Sequence, residues 1–235
     1  MQSEGIHLAP GQRLGSSNSP TTVIISGDSN YEMQPDGVIF FTTPAGEDYK
    51  VVVEVGVSQA YESLLEKARK WILDSECKIV LLLAFYEKER YAAPRKRITL
   101  TSQQVNDQVV QMRRRWPSTN VSEFSGLVFK GHTWLNEISE GFIDVIRKDR
   151  ESDDTDALTN FKYILIDMGR DERSSVPASV GDIRLAELIP RESLGSAAGD
   201  IVVDFFNSDA FMDEVRTALI STAVTRFKKS VKLIV

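Results

Sequence analysis

The stretch PDGVIFFTT (residues 35–43), continued by VVVEVGVSQAYESLLEKARKWI (residues 51–72), decides how this chain is read. Pro35-Asp36-Gly37 is a turn, and VIFFTT (38–43) behind it is a strand of aromatic and β-branched residues. PAGED (44–48) turns the chain again into YKVVVEV (49–55). The nearly unbroken valines of that segment predict a strand buried on both faces, as in the middle of a sheet. Tyr61, Leu64, Leu65, Ala68, Trp71 and Ile72 then recur at three- and four-residue intervals. That spacing gives a helix with one apolar face. Ser58 is its expected N-cap, and Glu66 and Lys70 pair four apart on the wet face. KIVLLLAFYEKE (78–89) follows as a long buried strand, and TTVIIS (21–26) precedes the whole as another.

Working outward, residues 1–20 are rich in Gly, Ser, Pro and Gln and read as a polar, loosely packed arm. YAAPRKR (91–97) is a basic loop, RITLT (97–101) a short strand, and SQQVNDQVVQMRRRW (102–116) a helix stopped by Pro117. Residues 133–147 fit a helix through Trp134, Ile138, Phe142, Val145 and Ile146, and fit a strand equally well. A charged loop is expected over 147–157, a strand over 161–169, a loop over 171–182, a strand over 201–206 and an amphipathic helix over 208–229. The fold class is therefore α/β (α+β), a mixed central sheet flanked by helices. The arm (1–20), a core (21–116) and a C-terminal extension packed on that core (117–235) make one domain.

Composition narrows the chemistry. Hydrophobic residues are 42% and charged residues 26% of the 235, an ordinary globular balance. Cys77 is the single cysteine, which excludes an intrachain disulfide and a cysteine zinc site. His7 and His132 are the only histidines, and no nucleophile-elbow motif accompanies them, so a Ser-His hydrolase is set aside. The net charge of −6 argues against indiscriminate coating of nucleic acid, although a basic groove depends on placement rather than totals. The N-terminus lacks an apolar signal region and no apolar run approaches a membrane span. An intracellular protein, cytoplasmic or nuclear and without a membrane partner, is the expectation.

The Pro-Asp-Gly turn, a glutamate eighteen positions later in E54-V55-G56-x-S58-Q59, and the helix and strand that follow resemble the PD-(D/E)XK, or restriction-endonuclease-like, superfamily. In particular, residues 22–90 look like nuclease-like domains abundant in fungal proteomes. The resemblance implies a Mg²⁺- or Mn²⁺-dependent hydrolase of phosphodiester bonds in DNA or RNA. It implies that Asp36 and Glu54 bind the metal, with the carbonyl of Val55 as a further ligand. Hard cations favour such oxygen ligands and retain waters, one of which attacks the phosphate. The family's lysine two residues after the second acid is replaced here by Gly56. Some members carry that lysine on the following helix, where Lys67 is the candidate. Gln59 occupies the place of a polar residue that orients water or phosphate. The family's first helix has no counterpart in the short arm.

Each assignment has a plainer counterpart. Asp36 can simply stabilise its turn, whereas an acid such as Glu54 inside a valine strand costs several kcal/mol unless paired or on metal. Lys67 lies nine residues beyond Ser58, about 13 Å along a helix axis at 1.5 Å per residue, and can equally be a solvated flank lysine. Gln59 can be an ordinary first-turn residue. Arg95, Lys96 and Arg97, and Arg113, Arg114 and Arg115 beside Trp116, are candidates for holding a nucleic-acid backbone, or else a solvated face. Trp71 and Trp134 read as core, and His132 as structural. Two functions result: a metal-dependent nuclease, and a catalytically inactive nuclease-fold module that binds nucleic acid, a protein partner or a second copy of itself.

Overall fold

The valine run of residues 51–57 lies inside a seven-stranded mixed sheet, but the expected burial on both faces is incomplete: Val52, Glu54 and Gly56 are buried, whereas Val53, Val55 and Val57 on the other face are half-buried. A computed structural model describes residues 8–18, 22–26, 29–75, 77–115, 124–148, 157–173, 180–194, 198–204, 206 and 209–234. In chain order the strands begin β1 (Arg13–Asn18), β2 (Thr22–Ser26), β3 (Ser29–Met33), β4 (Gly37–Thr43), β5 (Gly46–Val57), β6 (Ile79–Glu87) and β7 (Ile98–Leu100). They continue as β8 (Leu127–Phe129), β9 (His132–Leu135), β10 (Ile138–Lys148), β11 (Leu158–Asp167), β12 (Arg170–Asp171) and β13 (Val231–Leu233). The helices are α1 (Tyr61–Asp74), α2 (Ser102–Arg115), α3 (Leu185–Leu188) and α4 (Asp209–Lys229). The main sheet runs β1-β4-β5-β6-β10-β11-β12, and β2-β3, β8-β9 and β7-β13 form separate pairs. The α+β class read from the sequence is the observed one.

Two compact units share the chain. The first comprises residues 1–84, 142–163 and 176–205, and the second residues 85–141, 164–175 and 206–235, so β6, β10 and β11 contribute residues to both.

In the first unit, β4 pairs antiparallel with β1 on one side and β5 on the other, with Gly37 opposite Val53. Residues 13–18, expected as part of a loose arm, are thus an edge strand. The small residues of RLGSSN permit it: a Cβ on Gly15 would stand 2.7 Å from the Phe40 ring. TTVIIS forms β2, which pairs with β3 rather than joining the main sheet. Helix α1 buries Leu64, Ala68, Trp71 and Ile72, the face its spacing predicted. Each such large side chain contributes about 1.5–3 kcal/mol on burial. Its N-cap is Ala60 with no side-chain cap bond, and Ser58 is at φ 55°, so the expected Ser58 cap does not form.

The strand expected over 201–206 is a second correction. Val202 makes one isolated bridge with Arg184, while Leu185 donates to the Ile201 carbonyl and Val203 to that of Ile183. The apolar run finds only a short neighbouring segment to pair with, so no ladder extends.

The second unit settles the ambiguous segment 133–147 in its own part as strand: β8 and β9 are a hairpin, and β10 begins at Ile138. Helix α4 buries Met212, Val215, Leu219, Ala223, Val224 and Phe227. Trp134 meets the Phe227 ring edge-on at 5.3 Å. Arg226 holds Glu87 bidentately at 2.8 and 2.7 Å and lies 4.2 Å over the Tyr91 ring. After α4, the chain adds β13 parallel to β7, a strand the sequence reading did not anticipate.

Candidate active site

Glu54 is 1% exposed, so its carboxylate has to be satisfied from within the protein. Both oxygens are: Trp71 Nε1 donates to Oε1 at 2.8 Å, and Lys67 Nζ stands 3.1 Å from Oε2. The reason lies in the path of the chain. β5 leads into α1, and the helix returns along the strand it left, so that Leu64 lies against Gly56 while Lys67 and Trp71, further along, reach back to Glu54. The nine residues separating Lys67 from Ser58 therefore carry it toward the acid rather than away.

Asp36 precedes β4 by one residue, and the register pairing Gly37 with Val53 brings it to the level of Glu54. It is exposed, and its Oδ2 accepts the Val55 N–H at 2.7 Å. Its Oδ1 has no hydrogen-bond partner among the described residues. The Asp36 carboxylate thus bonds across to β5 rather than within its own turn, and the N–H it accepts belongs to the residue after Glu54.

The packing of α1 on β5 accounts for a glycine at position 56. A Cβ at this position would stand 2.7 Å from Leu64 Cδ1, and Leu64 is fully buried. A side chain at residue 56 would have to displace the buried Leu64 side chain. That same packing is what allows Lys67 to reach Glu54.

Gln59 donates from Nε2 to Ser63 Oγ at 3.1 Å, within the first turn of α1. Arg95, Lys96 and Arg97 precede β7 and Arg113, Arg114 and Arg115 end α2; all six are exposed and belong to the second unit, whereas both acids belong to the first. Trp116 and His7 lie outside the described residues. His132 stacks edge-on against Trp134, with ring centroids 4.6 Å apart. Trp71, read from sequence as core, is core, yet its indole N–H also holds the acid. Only the need of a buried indole for an acceptor hinted at this.

Among the described residues no three His, Cys, Asp or Glu side chains are grouped to hold a metal ion. The donor chemistry of the pair nevertheless fits a hard cation that keeps waters: carboxylate oxygens, one free at Asp36, and one at Glu54 engaged only by a lysine whose side chain is 43% exposed. A second buried acid, Asp144, accepts from the Tyr61 hydroxyl and from Asn160 Nδ2 at 3.2 Å. Burial pushes the Cys77 thiol up to about 12, which leaves it neutral and unreactive. Among the described residues no helix is long and apolar enough to cross a membrane. No protein-family model matches the chain, and neither a curated protein nor a solved structure matches it.

Proposed function

We propose that Asp36, Glu54 and Lys67 form the centre of a metal-dependent nuclease, hydrolysing phosphodiester bonds in DNA or RNA. The observation that carries this reading is the 3.1 Å contact of Lys67 Nζ with Glu54 Oε2, which supplies from α1 the cation that Gly56 cannot. Asp36 and Glu54 would hold Mg²⁺ or Mn²⁺, with the Val55 carbonyl as a further ligand. When bound, such an ion activates a water and neutralises phosphate charge. Lys67 is long and partly exposed, so it can turn from Glu54 to the phosphate and stabilise charge developing there. The two carboxylates and the ammonium leave one net negative charge, which a divalent cation and one phosphodiester anion bring to zero.

A second reading has its own observation. Glu54 is 1% exposed, with both oxygens engaged. Such an acid also serves as a pin between α1 and β5 in an inactive module of nuclease fold. The test is cleavage of single- and double-stranded DNA and RNA with Mg²⁺ or Mn²⁺, alongside Asp36→Asn and Lys67→Met. The nuclease reading expects cleavage that EDTA and either substitution abolish. Absence of cleavage on all four substrates, with no Mn²⁺ bound by calorimetry, selects the inactive module.

A further inference from the structure

The chain's charge is divided very unequally. Sixteen Lys and Arg against twelve Asp and Glu give the second unit a formal charge of +4, so the total of −6 leaves −10 for the first. Within the second unit, residues 90–106, 108–122 and 215–235 contain no Asp or Glu at all. The fold gathers the cations of these separate segments. β13 runs parallel to β7 with Val231 opposite Ile98, so the residues entering both strands lie at one end. There Ile98 donates its N–H to the Ser230 carbonyl at 3.0 Å. Arg95, Lys96 and Arg97 therefore arrive beside Lys228 and Lys229, the last residues of α4, with Lys232 on the adjoining strand.

All six are exposed, and none makes an ion pair among the described residues. The end of α2 reaches the same place: the Arg115 guanidinium lies 5.7 Å from the Phe129 ring centroid, and Phe129 packs edge-on against Phe227, the residue before Lys228. Lys130 approaches Phe129 at 5.7 Å as well.

The C-terminal dipole of α4 favours Lys228 and Lys229 on its own account. It does not account for a second basic run placed alongside, since like charges repel unless an anion lies between them. Protein interfaces have an apolar centre and a mixed polar rim. A surface to which these three segments bring cations and no Asp or Glu instead matches a polymer of the opposite sign. We propose that the joined ends of β7, β13 and α4 bind the phosphate backbone of a nucleic acid without reading its sequence. This surface does not depend on the Asp36–Glu54 centre, and it extends the two basic runs legible in the sequence by Lys228, Lys229 and Lys232.

The test uses the full chain in EDTA, so that binding is separated from cleavage. Fluorescence anisotropy is measured with labelled single- and double-stranded DNA and RNA of random sequence over 50–200 mM salt. Binding should weaken steeply with salt. The triple change Lys228→Gln, Lys229→Gln, Lys232→Gln should weaken it alike for all sequences and lower the log–log salt slope by up to about 3. Arg69→Gln, which removes an exposed cation of the first unit, should bind as the parent does. A thermal melt of the triple variant matching the parent excludes misfolding, and reversing Arg95, Lys96 and Arg97 to Glu provides a second variant. No binding at the lowest salt, or an unchanged slope in both variants, overturns the proposal. So does equal binding to polyglutamate or to anionic phospholipid vesicles.

Discussion

Lys67 Nζ stands 3.1 Å from Glu54 Oε2, yet 43% of the lysine side chain is exposed and only 1% of the glutamate's. The pair joins a fixed, desolvated acid to a mobile, solvated cation. Its two partners should respond differently to change, because only the acid has lost its water. Trp71 supplies the acid's other hydrogen bond from one helical turn further along.

Removing the indole donor is the more costly change. Trp71→Phe leaves Glu54 Oε1 buried without a partner and should lower stability by about 1–3 kcal/mol beyond any packing loss. Lys67→Met also leaves an oxygen of this buried acid without its cation, but the half-exposed site of the ammonium is open to water, so the loss should be smaller, about 1–2 kcal/mol. Urea unfolding of both variants measures the order, and a larger loss for Lys67→Met would contradict it.

Gly56 sets the distance between α1 and β5. Gly56→Ala forces a Cβ to 2.7 Å from Leu64 Cδ1 and should destabilise by about 1–3 kcal/mol. Gly56→Lys, which puts a lysine two residues after Glu54, should be worse and, on the proposed nuclease reading, should not restore cleavage to Lys67→Met. Denaturant midpoints and a cleavage assay read the two effects separately.

Cys77 reports folding through its thiol. Burial raises it from 9.0 to about 12, so a disulfide reagent at pH 8 should leave the folded chain unlabelled and label it after addition of urea. Because the folded value is the higher one, the thiol's contribution to stability is fully present below pH 9.0 and declines as pH rises toward about 12. Rapid labelling of the folded chain at pH 8 would show the thiol to be accessible.

In the second unit, Arg226 and Glu87 form a fork at 2.7 and 2.8 Å with side chains 14% and 1% exposed. Arg226→Met leaves the buried Glu87 carboxylate without its cation, though the Asn136 N–H still donates to Oε1 at 2.6 Å, and should cost about 3–5 kcal/mol. Arg226→Lys keeps the charge but loses the fork and the stacking on Tyr91, and should recover only part of that loss. Thermal melts of the two variants test the ranking.

Local pattern was enough for much of the chain. The valine run before Glu54, the three-and-four spacing from Tyr61 to Ile72 and the length of the apolar segment at 79–87 each specify an element by burial alone, and all three elements formed, although beyond Val52 β5 is fully buried on one face only. Segment 133–147 was undecided because helix and strand bury its large residues equally well; cross-strand partners supplied by β8 and the neighbours of β10 decided it. Ser58 misled because a capping residue is recognised by its type, whereas a cap forms only where the turn places it.

Sequence by itself determined the α+β class and the candidates Asp36, Glu54 and Lys67, because hydrophobic periodicity and residue chemistry are local properties. Tertiary structure decided what those residues touch. The return of α1 along β5 turned a lysine thirteen positions from Glu54 into its ion partner and a core tryptophan into its hydrogen-bond donor. The parallel pairing of β7 with β13 set Arg95–Arg97 beside lysines more than 130 residues away. Contacts of that separation are chosen by the packing of whole elements, which no short window of sequence contains.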